Sequence, residues 1–150
     1  MKLTANYREL HSLMKRMSDL DGTKVVAGFF EEDHYGPEND FLPVAQVAWW
    51  NEMGIGVPTR EFMYPAFRDA ANRSWYANFV RQAVEAAIHG RPYRPILKRL
   101  GEEMKGVIEV NIDDYPGSNS RAWVAIKGFD DPLLYTGKML SSVKYKIRRK

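Results

Sequence analysis

Residues 48–67 read A-W-W-N-E-M-G-I-G-V-P-T-R-E-F-M-Y-P-A-F and decide how the rest of the chain is arranged. An apolar run at helical spacing leads into this stretch, and Gly54 and Gly56 suit the C-terminus of that helix and the turn after it. Pro65 suits the first turn of a second helix, because its missing N–H has no helical partner there. The stretch therefore predicts a corner between two helices. Its large apolar side chains are expected in the core: Trp49, Phe62, Met63 and Phe67.

Arg60 is the only basic residue of this stretch. A guanidinium carries several fixed N–H donors, which need acceptors when the side chain lies against a core. We therefore expect Arg60 to pair with Glu52 or to bind backbone carbonyl oxygens.

The length and composition indicate one ordinary globular domain. At 150 residues the chain can bury a core, which predicts a single domain over residues 1–150. It contains no cysteine, which excludes disulfides, thiolate metal sites and cysteine nucleophiles. No apolar run approaches the roughly 18 residues of a membrane span, and residues 1–14 lack the apolar centre of a secretory signal. We expect a protein without membrane contacts that resides in a cytoplasm before any assembly.

Three elements are predicted ahead of the corner. Residues 4–20 carry apolar side chains at steps of three and four, which predicts an amphipathic helix. Its apolar stripe consists of Tyr7, Leu10, His11, Met14 and Met17. Residues 24–30, K-V-V-A-G-F-F, have the β-branched and aromatic composition of a buried strand. Residues 31–40, E-E-D-H-Y-G-P-E-N-D, are predicted to form a polar loop.

A pair of long helices is predicted after the corner. Residues 65–89 carry apolar side chains at steps of four and predict one continuous helix, which a Gly-Arg-Pro sequence ends. Residues 94–110 predict the second helix. Gly101 and Gly106 lie inside it, and each costs about 1 kcal/mol relative to alanine in a helix interior. We therefore expect either that another backbone packs closely there or that the helix bends.

Two strands are predicted near the C-terminus. Residues 122–129, A-W-V-A-I-K-G-F, have strand composition, and in residues 143–147 apolar side chains alternate with lysines. A first strand, a block of helices and two late strands are typical of an α+β domain. We predict a small, mostly antiparallel sheet that combines the N-terminal strand with the C-terminal strands and packs against the long helix pair. Residues 25–30 and 143–147 are expected in the same sheet.

No catalytic or cofactor-binding motif is present. The histidines His11, His34 and His89 are far apart, and none belongs to a two-histidine metal motif. The chain lacks Gly-x-Ser-x-Gly, a dinucleotide-binding glycine pattern and a phosphate-binding loop. Neighbouring acids such as Glu102 and Glu103 do not face each other on a helix, so they form no glycosidase-type pair. We expect no enzymatic activity, no cofactor and no metal.

Charge is distributed unevenly along the chain. Six cations and no acid lie between residue 138 and the C-terminus, whereas residues 31–33 are all acidic. A basic terminus suits a phosphate, an acidic neighbouring subunit or simple solubility, so a small DNA-contacting protein is one alternative. The strand period places Tyr145 on the face opposite to Lys144 and Lys146, which argues against a shared base-stacking platform.

Two separated motifs resemble those of one known family. The first is Asn51-Glu52-x-Gly54 followed by Pro58-x-Arg60-x-Phe62-Met63-x-Pro65-Ala66. The second is Pro132-Leu133-x-x-Thr136-Gly137-x-Met139 followed by Ser142-Val143. In this order, with a helix pair between them, they resemble the head–tail joining proteins of tailed bacteriophages, the neck and tail-completion family of minor virion components.

The resemblance implies a non-enzymatic virion protein in the neck or upper tail. Such a protein would assemble as a ring, six-fold or twelve-fold, between the capsid portal and the tail. Its expected partners are further copies of itself, connector or head-closure proteins and tail proteins, with the packaged DNA nearby. A tail terminator that caps the tail tube is the alternative within the family.

On this interpretation, partner contacts are expected at the corner, in the acidic loop and on the basic C-terminal strand. The candidate residues are Glu52, Pro58, Arg60, Phe62, Glu31, Glu32, Asp33, Lys144, Lys146, Arg148 and Arg149. A loop predicted at residues 113–121 is expected to contribute further contacts.

Overall fold

In the computed structural model of the chain, residues 3–149 are described, and most of them are helical. Seven helices lie in this range: α1 (Leu3–Asp21), α2 (Val44–Met53), α3 (Met63–Arg68), α4 (Ala70–Ile88), α5 (Arg94–Asp113), α6 (Arg121–Lys127) and α7 (Lys138–Ser141). Two strands come from opposite ends of the chain: β1 (Thr23–Gly28) and β2 (Lys144–Arg149). The predicted polar loop at residues 31–40 contains a 3₁₀ turn, Pro37–Asn39.

The two strands pair with each other in an antiparallel sheet. Val25 lies opposite Ile147, and Gly28 lies opposite Lys144. This confirms the predicted pairing of the two ends of the chain. An isolated two-stranded sheet is only marginally stable in water, and here α5 packs against both strands. The predicted α+β class, with a small antiparallel sheet against long helices, is therefore confirmed.

An aromatic ring of β2 occupies the space beside one glycine of α5. A Cβ atom built on Gly101 would lie 2.1 Å from Cδ2 of Tyr145 and 2.6 Å from its Cγ. A Cβ atom built on Gly106 meets nothing within 4 Å. The close approach expected in this helix therefore occurs at Gly101, and a side chain rather than a backbone makes it.

Replacing Gly101 with alanine is expected to lower the free energy of unfolding by about 2 kcal/mol, because the added methyl group displaces the Tyr145 ring. The matched change Gly106→Ala adds the same methyl group to the same helix in open space. It is expected to raise the free energy of unfolding by up to about 1 kcal/mol through helix propensity. Urea unfolding followed by circular dichroism measures both changes. Equal changes in the free energy of unfolding for Gly101→Ala and Gly106→Ala would contradict the tight packing of Tyr145 on α5.

The predicted strand at residues 122–129 is wrong, because this segment forms α6. The hydroxyl of Ser120 accepts a hydrogen bond from the backbone N–H of Trp123, and Gly128 ends the helix with a φ of 83°. A serine N-cap and a glycine in the left-handed conformation are both preferred helix boundaries. The sheet consequently contains one C-terminal strand instead of two.

The predicted continuous helix at residues 65–89 is also wrong, since the chain turns at Asp69. This residue has φ −57° and ψ 133° and separates α3 from α4. Its carboxylate accepts hydrogen bonds from the backbone N–H groups of Ala71 and Asn72. Aspartate competes for backbone donors in a helix interior and is favoured as an N-cap, so a new helix begins here.

One cluster of buried apolar residues connects the corner to the C-terminal part of the chain. Its members are Val44, Ala48, Phe62, Ala66, Ile108, Ile112, Leu133, Met139 and Val143. Residues of both motifs belong to this cluster. The core therefore holds the two motifs against each other.

Several apolar side chains that were expected to be buried face outward instead. Trp49 is 55% exposed, so its predicted place in the core is wrong. Tyr7, Leu10 and Met14, on the predicted apolar stripe of α1, are 69%, 53% and 63% exposed. The hydrogen bonds that join α1 to the helices after the corner lie in its C-terminal half: Nε of Arg16 donates one of 2.7 Å to a carbonyl oxygen of α4, and Asp19 accepts one of 2.6 Å from the hydroxyl of Tyr93.

Candidate interaction site

Glu52 joins the two helices of the corner through its carboxylate. Its Oε2 accepts hydrogen bonds of 2.9 Å from the backbone N–H groups of Phe62 and Met63, and its Oε1 accepts one of 2.7 Å from Tyr64. These N–H groups lie at the N-terminus of α3, where helical partners are missing and negative charge is favoured. Glu52 therefore caps α3 from the end of α2, and both of its oxygens are engaged within the chain.

The expectation that Arg60 pairs with Glu52 or binds backbone carbonyl oxygens is wrong, because within residues 3–149 its guanidinium donates to side-chain amides. Its Nη1 donates to Oδ1 of Asn51 at 3.0 Å, and its Nη2 donates to Oδ1 of Asn119 at 3.4 Å. Across residues 3–149, no carboxylate forms an ion pair with this side chain. The half-buried guanidinium is therefore held only by neutral amide oxygens.

The second motif turns the chain from α6 towards β2. Leu133 and Met139 are buried in the core cluster. Gly137 precedes α7 with a φ of 71°, a conformation that glycine adopts without steric cost. The hydroxyl of Ser142 donates a hydrogen bond of 2.8 Å to the carbonyl oxygen of Lys138. Because α7 packs against α2, this motif lies beside the corner.

A groove of about 450 Å³ lies between the two motifs. The corner supplies one side through Val57 and Pro58, and the second motif supplies the other through Leu134 and Tyr135. Helix α6 contributes Trp123, whose ring centroid lies 5.9 Å from that of Tyr135. The walls of the groove are therefore largely apolar and aromatic.

Among the side chains that the structure describes, the groove is lined by three cations and by no aspartate or glutamate. The cations are Arg60, Lys127 and Lys138. Burial lowers the pKa of Lys127, and the charge of Asp131 opposes that effect; the charge of Arg60 lowers the pKa further, and the charge of Asp130 raises it. Nδ2 of Asn119, the residue whose oxygen binds Arg60, is buried and has no hydrogen-bond partner. The carboxylates of Asp131 and Asp130 therefore offset part of the positive charge of Lys127, and Oδ1 of Asp130 accepts a hydrogen bond of 2.6 Å from the backbone N–H of Asn119.

The acidic loop and the basic strand, both predicted to contact partners, bind each other. Nζ of Lys144 lies 2.6 Å from Oδ2 of Asp33, and Nζ of Lys146 lies 2.5 Å from Oε1 of Glu32. The hydrogen bond from Lys146 lowers the pKa of Glu32. These charges are therefore neutralised within the chain. Lys150, the last cation of the sequence, lies outside the described residues.

The remaining charged candidates have different surroundings. Arg149 forms an ion pair with Asp19 of α1. The guanidinium carbon of Arg148 lies 5.3 Å from the centroid of the Phe30 ring, and this arginine forms no ion pair within residues 3–149. Glu31 is exposed. The partner contacts assigned to Arg148 and Glu31 stay predictions.

Phe62 is not a surface for partners in this fold, so its assignment as a contact residue is wrong. Its side chain is 0% exposed, and its ring packs edge-on against Phe29 with centroids 6.1 Å apart. Pro58 is exposed at the groove, and Arg60 lies at the same groove. Of the corner candidates, these two residues are placed where a partner can reach them.

Sequence reasoning missed the side of the groove that α6 forms. Trp123 is 41% exposed and Ile126 is 66% exposed, whereas a strand in the sheet would have buried part of this segment. Ser120 before the segment and Gly128 after it were the signals that indicate a helix. No local signal indicated that Asn119 binds Arg60, because that contact joins residues far apart in the chain.

Comparisons with known proteins identify no relative. No protein-family model, no curated protein and no solved structure matches this chain. Among residues 3–149, no group of three or more His, Cys, Asp or Glu side chains is arranged to hold a metal ion. None of the described helices has the length and apolar character needed to cross a membrane. The functional interpretation therefore rests on the two motifs and on the surface that they form.

Proposed function

We propose that this chain is a non-enzymatic structural protein of a tailed-bacteriophage virion, in the ring that joins the capsid portal to the tail. One observation carries the proposal. The two motifs that resemble the head–tail joining family are separated in sequence by α4 and α5, yet they pack together around a single groove. Pro58 of the first motif and Thr136 of the second are exposed at that groove, where one partner can contact both motifs.

The amount of exposed surface supports a subunit of an assembly. The chain exposes 10,099 Å² at a mass of 17.3 kDa, whereas a compact monomer of this mass exposes about 7,800 Å². A protein interface of standard size buries about 800 Å² on each partner. The excess is therefore large enough for contacts with two neighbours.

The positions of exposed apolar side chains also support assembly. Tyr7, Leu10 and Met14 share one face of α1, and Trp49 and Met53 share one face of α2. Contiguous exposed apolar faces are typical of interaction surfaces. In a ring each copy contacts its two neighbours through different surfaces, and two separate apolar faces suit that requirement.

The proposed partners are further copies of this chain, connector or head-closure proteins and tail proteins. The proposed location is the virion neck, after synthesis in the host cytoplasm. A tail terminator is the closest alternative, and it would form the same kind of ring at the end of the tail tube with different neighbours.

Light scattering of the purified chain, followed by negative-stain imaging, tests this proposal. We expect closed rings whose mass is a multiple of 17.3 kDa. Leu10→Glu places a charge on the exposed apolar face of α1 and is expected to reduce ring formation. Ser12→Glu adds the same charge at an exposed position on the opposite face of the same helix, where a carboxylate can still accept the hydrogen bond of Arg16, and it serves as the control.

The DNA-contacting alternative makes a different prediction for the same sample. A chain that stays monomeric at every concentration and binds duplex DNA with a steep loss of affinity on adding salt would contradict the ring proposal. Weak and salt-insensitive DNA binding, together with rings, would support it.

A further inference from the structure

One apolar surface that this chain leaves open to solvent is a stripe along α1. Tyr7, Leu10 and Met14 form the stripe, and each is more than half exposed. They lie at steps of three and four, so they share one face of the helix over about 10 Å of its length. The other side of α1 carries Arg16, which binds a carbonyl oxygen of α4. The stripe therefore faces away from the core of its own chain.

A second apolar surface is a groove of about 610 Å³ between α2 and α3, which we call the α2–α3 groove. Trp49 and Met53 of α2 line one side of it, and Tyr64 and Phe67 of α3 line the other. Trp49 and Met53 are each more than half exposed. Large aromatic side chains of this kind are enriched where proteins bind each other. The groove therefore offers room and apolar walls for side chains from another molecule.

We propose that α1 of one copy of this chain binds in the α2–α3 groove of the next copy, where Tyr7, Leu10 and Met14 cover Trp49 and Met53. The inference rests on the proposed function in one respect, because it takes further copies of the chain as the partner. It adds the two surfaces that meet. Since these surfaces are different, each copy binds one neighbour through α1 and another through its groove, as a ring requires.

The charges of α1 fit this placement. Arg8 and Lys15 lie seven residues apart on one flank of the stripe, and neither forms an ion pair within residues 3–149. Asp19, one turn beyond Lys15, forms an ion pair with β2 instead. Glu9 lies on the side of the helix that carries Arg16, away from the stripe. A partner that covers the stripe therefore meets two cations at its border.

The α2–α3 groove carries acids for those cations to meet. Glu61 lines the groove, is exposed and forms no ion pair within the described part of the chain. The carboxylate of Glu52 lies in the wall, at the N-terminus of α3. Arg68 is the one cation among the described residues of the lining, and its guanidinium lies 4.6 Å from the centroid of the Tyr64 ring. The net negative charge of the groove favours a partner with a positive flank.

Like charges argue against the simpler pairing of α1 with α1 of another copy. A two-fold pair of helices places the same residues on both sides of the contact. In an antiparallel pair Arg8 of one copy lies near Lys15 of the other, and in a parallel pair each residue faces its own equivalent. Both arrangements bring cations together, which costs binding free energy. The groove is therefore the better partner for the stripe.

Cross-linking between two single-cysteine variants tests the contact, because the chain contains no cysteine of its own. His11→Cys places a thiol beside the stripe, and Gln46→Cys places one on α2 next to Trp49, at the edge of the groove. Both positions are exposed, and neither change removes a proposed apolar contact. A short bismaleimide is added to an equimolar mixture, and denaturing gels measure the yield. We expect a cross-linked dimer in the mixture and almost none when either variant is treated alone.

Ala77→Cys is the matched control for the thiol at the groove. It lies at an exposed position of α4 outside the groove. Mixed with His11→Cys, it is expected to give about tenfold less cross-linked dimer than Gln46→Cys gives, because only bound partners hold the two thiols at a high effective concentration.

Substitutions in the two surfaces identify what holds them together. Leu10→Glu in the His11→Cys chain, or Trp49→Glu in the Gln46→Cys chain, is expected to abolish the cross-link. Ser12→Glu, on the opposite face of α1, should leave the yield unchanged. Circular dichroism verifies that each variant is folded.

Charge reversal supplies a readout that does not depend on the apolar substitutions. Glu61→Lys in the Gln46→Cys chain is expected to lower the yield about threefold, the scale of one surface ion pair. Combining it with Arg8→Glu and Lys15→Glu in the partner chain should restore the yield. If Trp49→Glu fails to fold, this loss and its rescue decide the question.

Three results would overturn the inference: no cross-link in the mixture, an equal yield with Ala77→Cys, or a yield from His11→Cys alone that matches the mixture, which would indicate pairing of α1 with α1. The ring experiment gives a separate answer. Rings without this cross-link would defeat the groove assignment and leave the neck proposal standing. A cross-link in a chain that forms no closed ring would do the reverse.

Discussion

Replacing Phe62 with alanine is expected to lower the free energy of unfolding by about 4 kcal/mol, because it empties a fully buried site. The side chain is 0% exposed and belongs to the cluster that holds the two motifs together. Its carbonyl oxygen also accepts a hydrogen bond of 2.8 Å from Nδ2 of Asn111, so the backbone is fixed on both sides and relaxes little into the cavity. Chemical unfolding followed by tryptophan fluorescence measures the loss.

Tyr64→Ala is the matched control for this substitution. Tyr64 lies two residues further along the same corner and is 47% exposed. Its ring contacts the guanidinium of Arg68, a surface interaction worth about 0.5–1 kcal/mol, so the expected loss is no larger than that. A loss below about 1 kcal/mol for Phe62→Ala, with assembly impaired, would instead restore Phe62 as a partner contact.

Replacing Glu52 with alanine is expected to lower the free energy of unfolding by about 3 kcal/mol, because three backbone N–H groups lose their acceptor together. Glu52→Gln keeps one acceptor oxygen without the negative charge, so about half of that loss is expected. The two variants therefore separate the hydrogen bonds from the attraction between the carboxylate and the N-terminus of α3.

Glu61→Ala controls for the removal of a negative charge from the same corner. Glu61 is exposed and forms no ion pair within residues 3–149, so its replacement should change the free energy of unfolding by less than about 0.5 kcal/mol. Urea unfolding of the three variants under one condition gives the comparison. Equal stabilities of Glu52→Ala and Glu61→Ala would show that the carboxylate of Glu52 does not hold the corner together.

The parts of the fold that sequence reasoning predicted correctly have strong local signals. Helix α5 follows a long apolar period, and β2 follows a clear alternation of apolar residues and cations. The pairing of β1 with β2 follows from composition and element order. Both strands need a partner, and they lie side by side in register from Thr23 opposite Arg149 to Gly28 opposite Lys144.

The parts that were predicted wrongly have short or competing signals. The seven residues of α6 fit a buried strand as well as a short helix, and its caps at Ser120 and Gly128 decide between the two. Asp69 lies inside a long apolar period, yet its carboxylate captures two backbone N–H groups and starts a new helix. In both cases the hydrogen bonds at a helix end decided the local structure, against the apolar or β-branched composition of the longer segment.

For the candidate site, too, some predictions from sequence were correct and others were not. Charge and motif analysis selected Pro58 and Arg60, and both lie at the groove. It also selected the acidic loop and the basic strand, where Asp33 and Lys144 neutralise each other because the pairing of β1 with β2 brings the two segments together. A list of exposed charges cannot reveal such a pair, since the partners are more than a hundred residues apart.

Sequence patterns were sufficient to predict the helix-rich order of the chain, the pairing of its two ends and the corner at which Gly54 ends α2. Those features depend on residues close together in sequence or on two unmistakable strands. Packing between distant segments brings Arg60 to Asn119 instead of Glu52 and places Trp123 at the groove that Arg60 also lines. Contacts of that kind depend on how distant segments pack, and local propensity carries no information about which distant acceptor a side chain will meet.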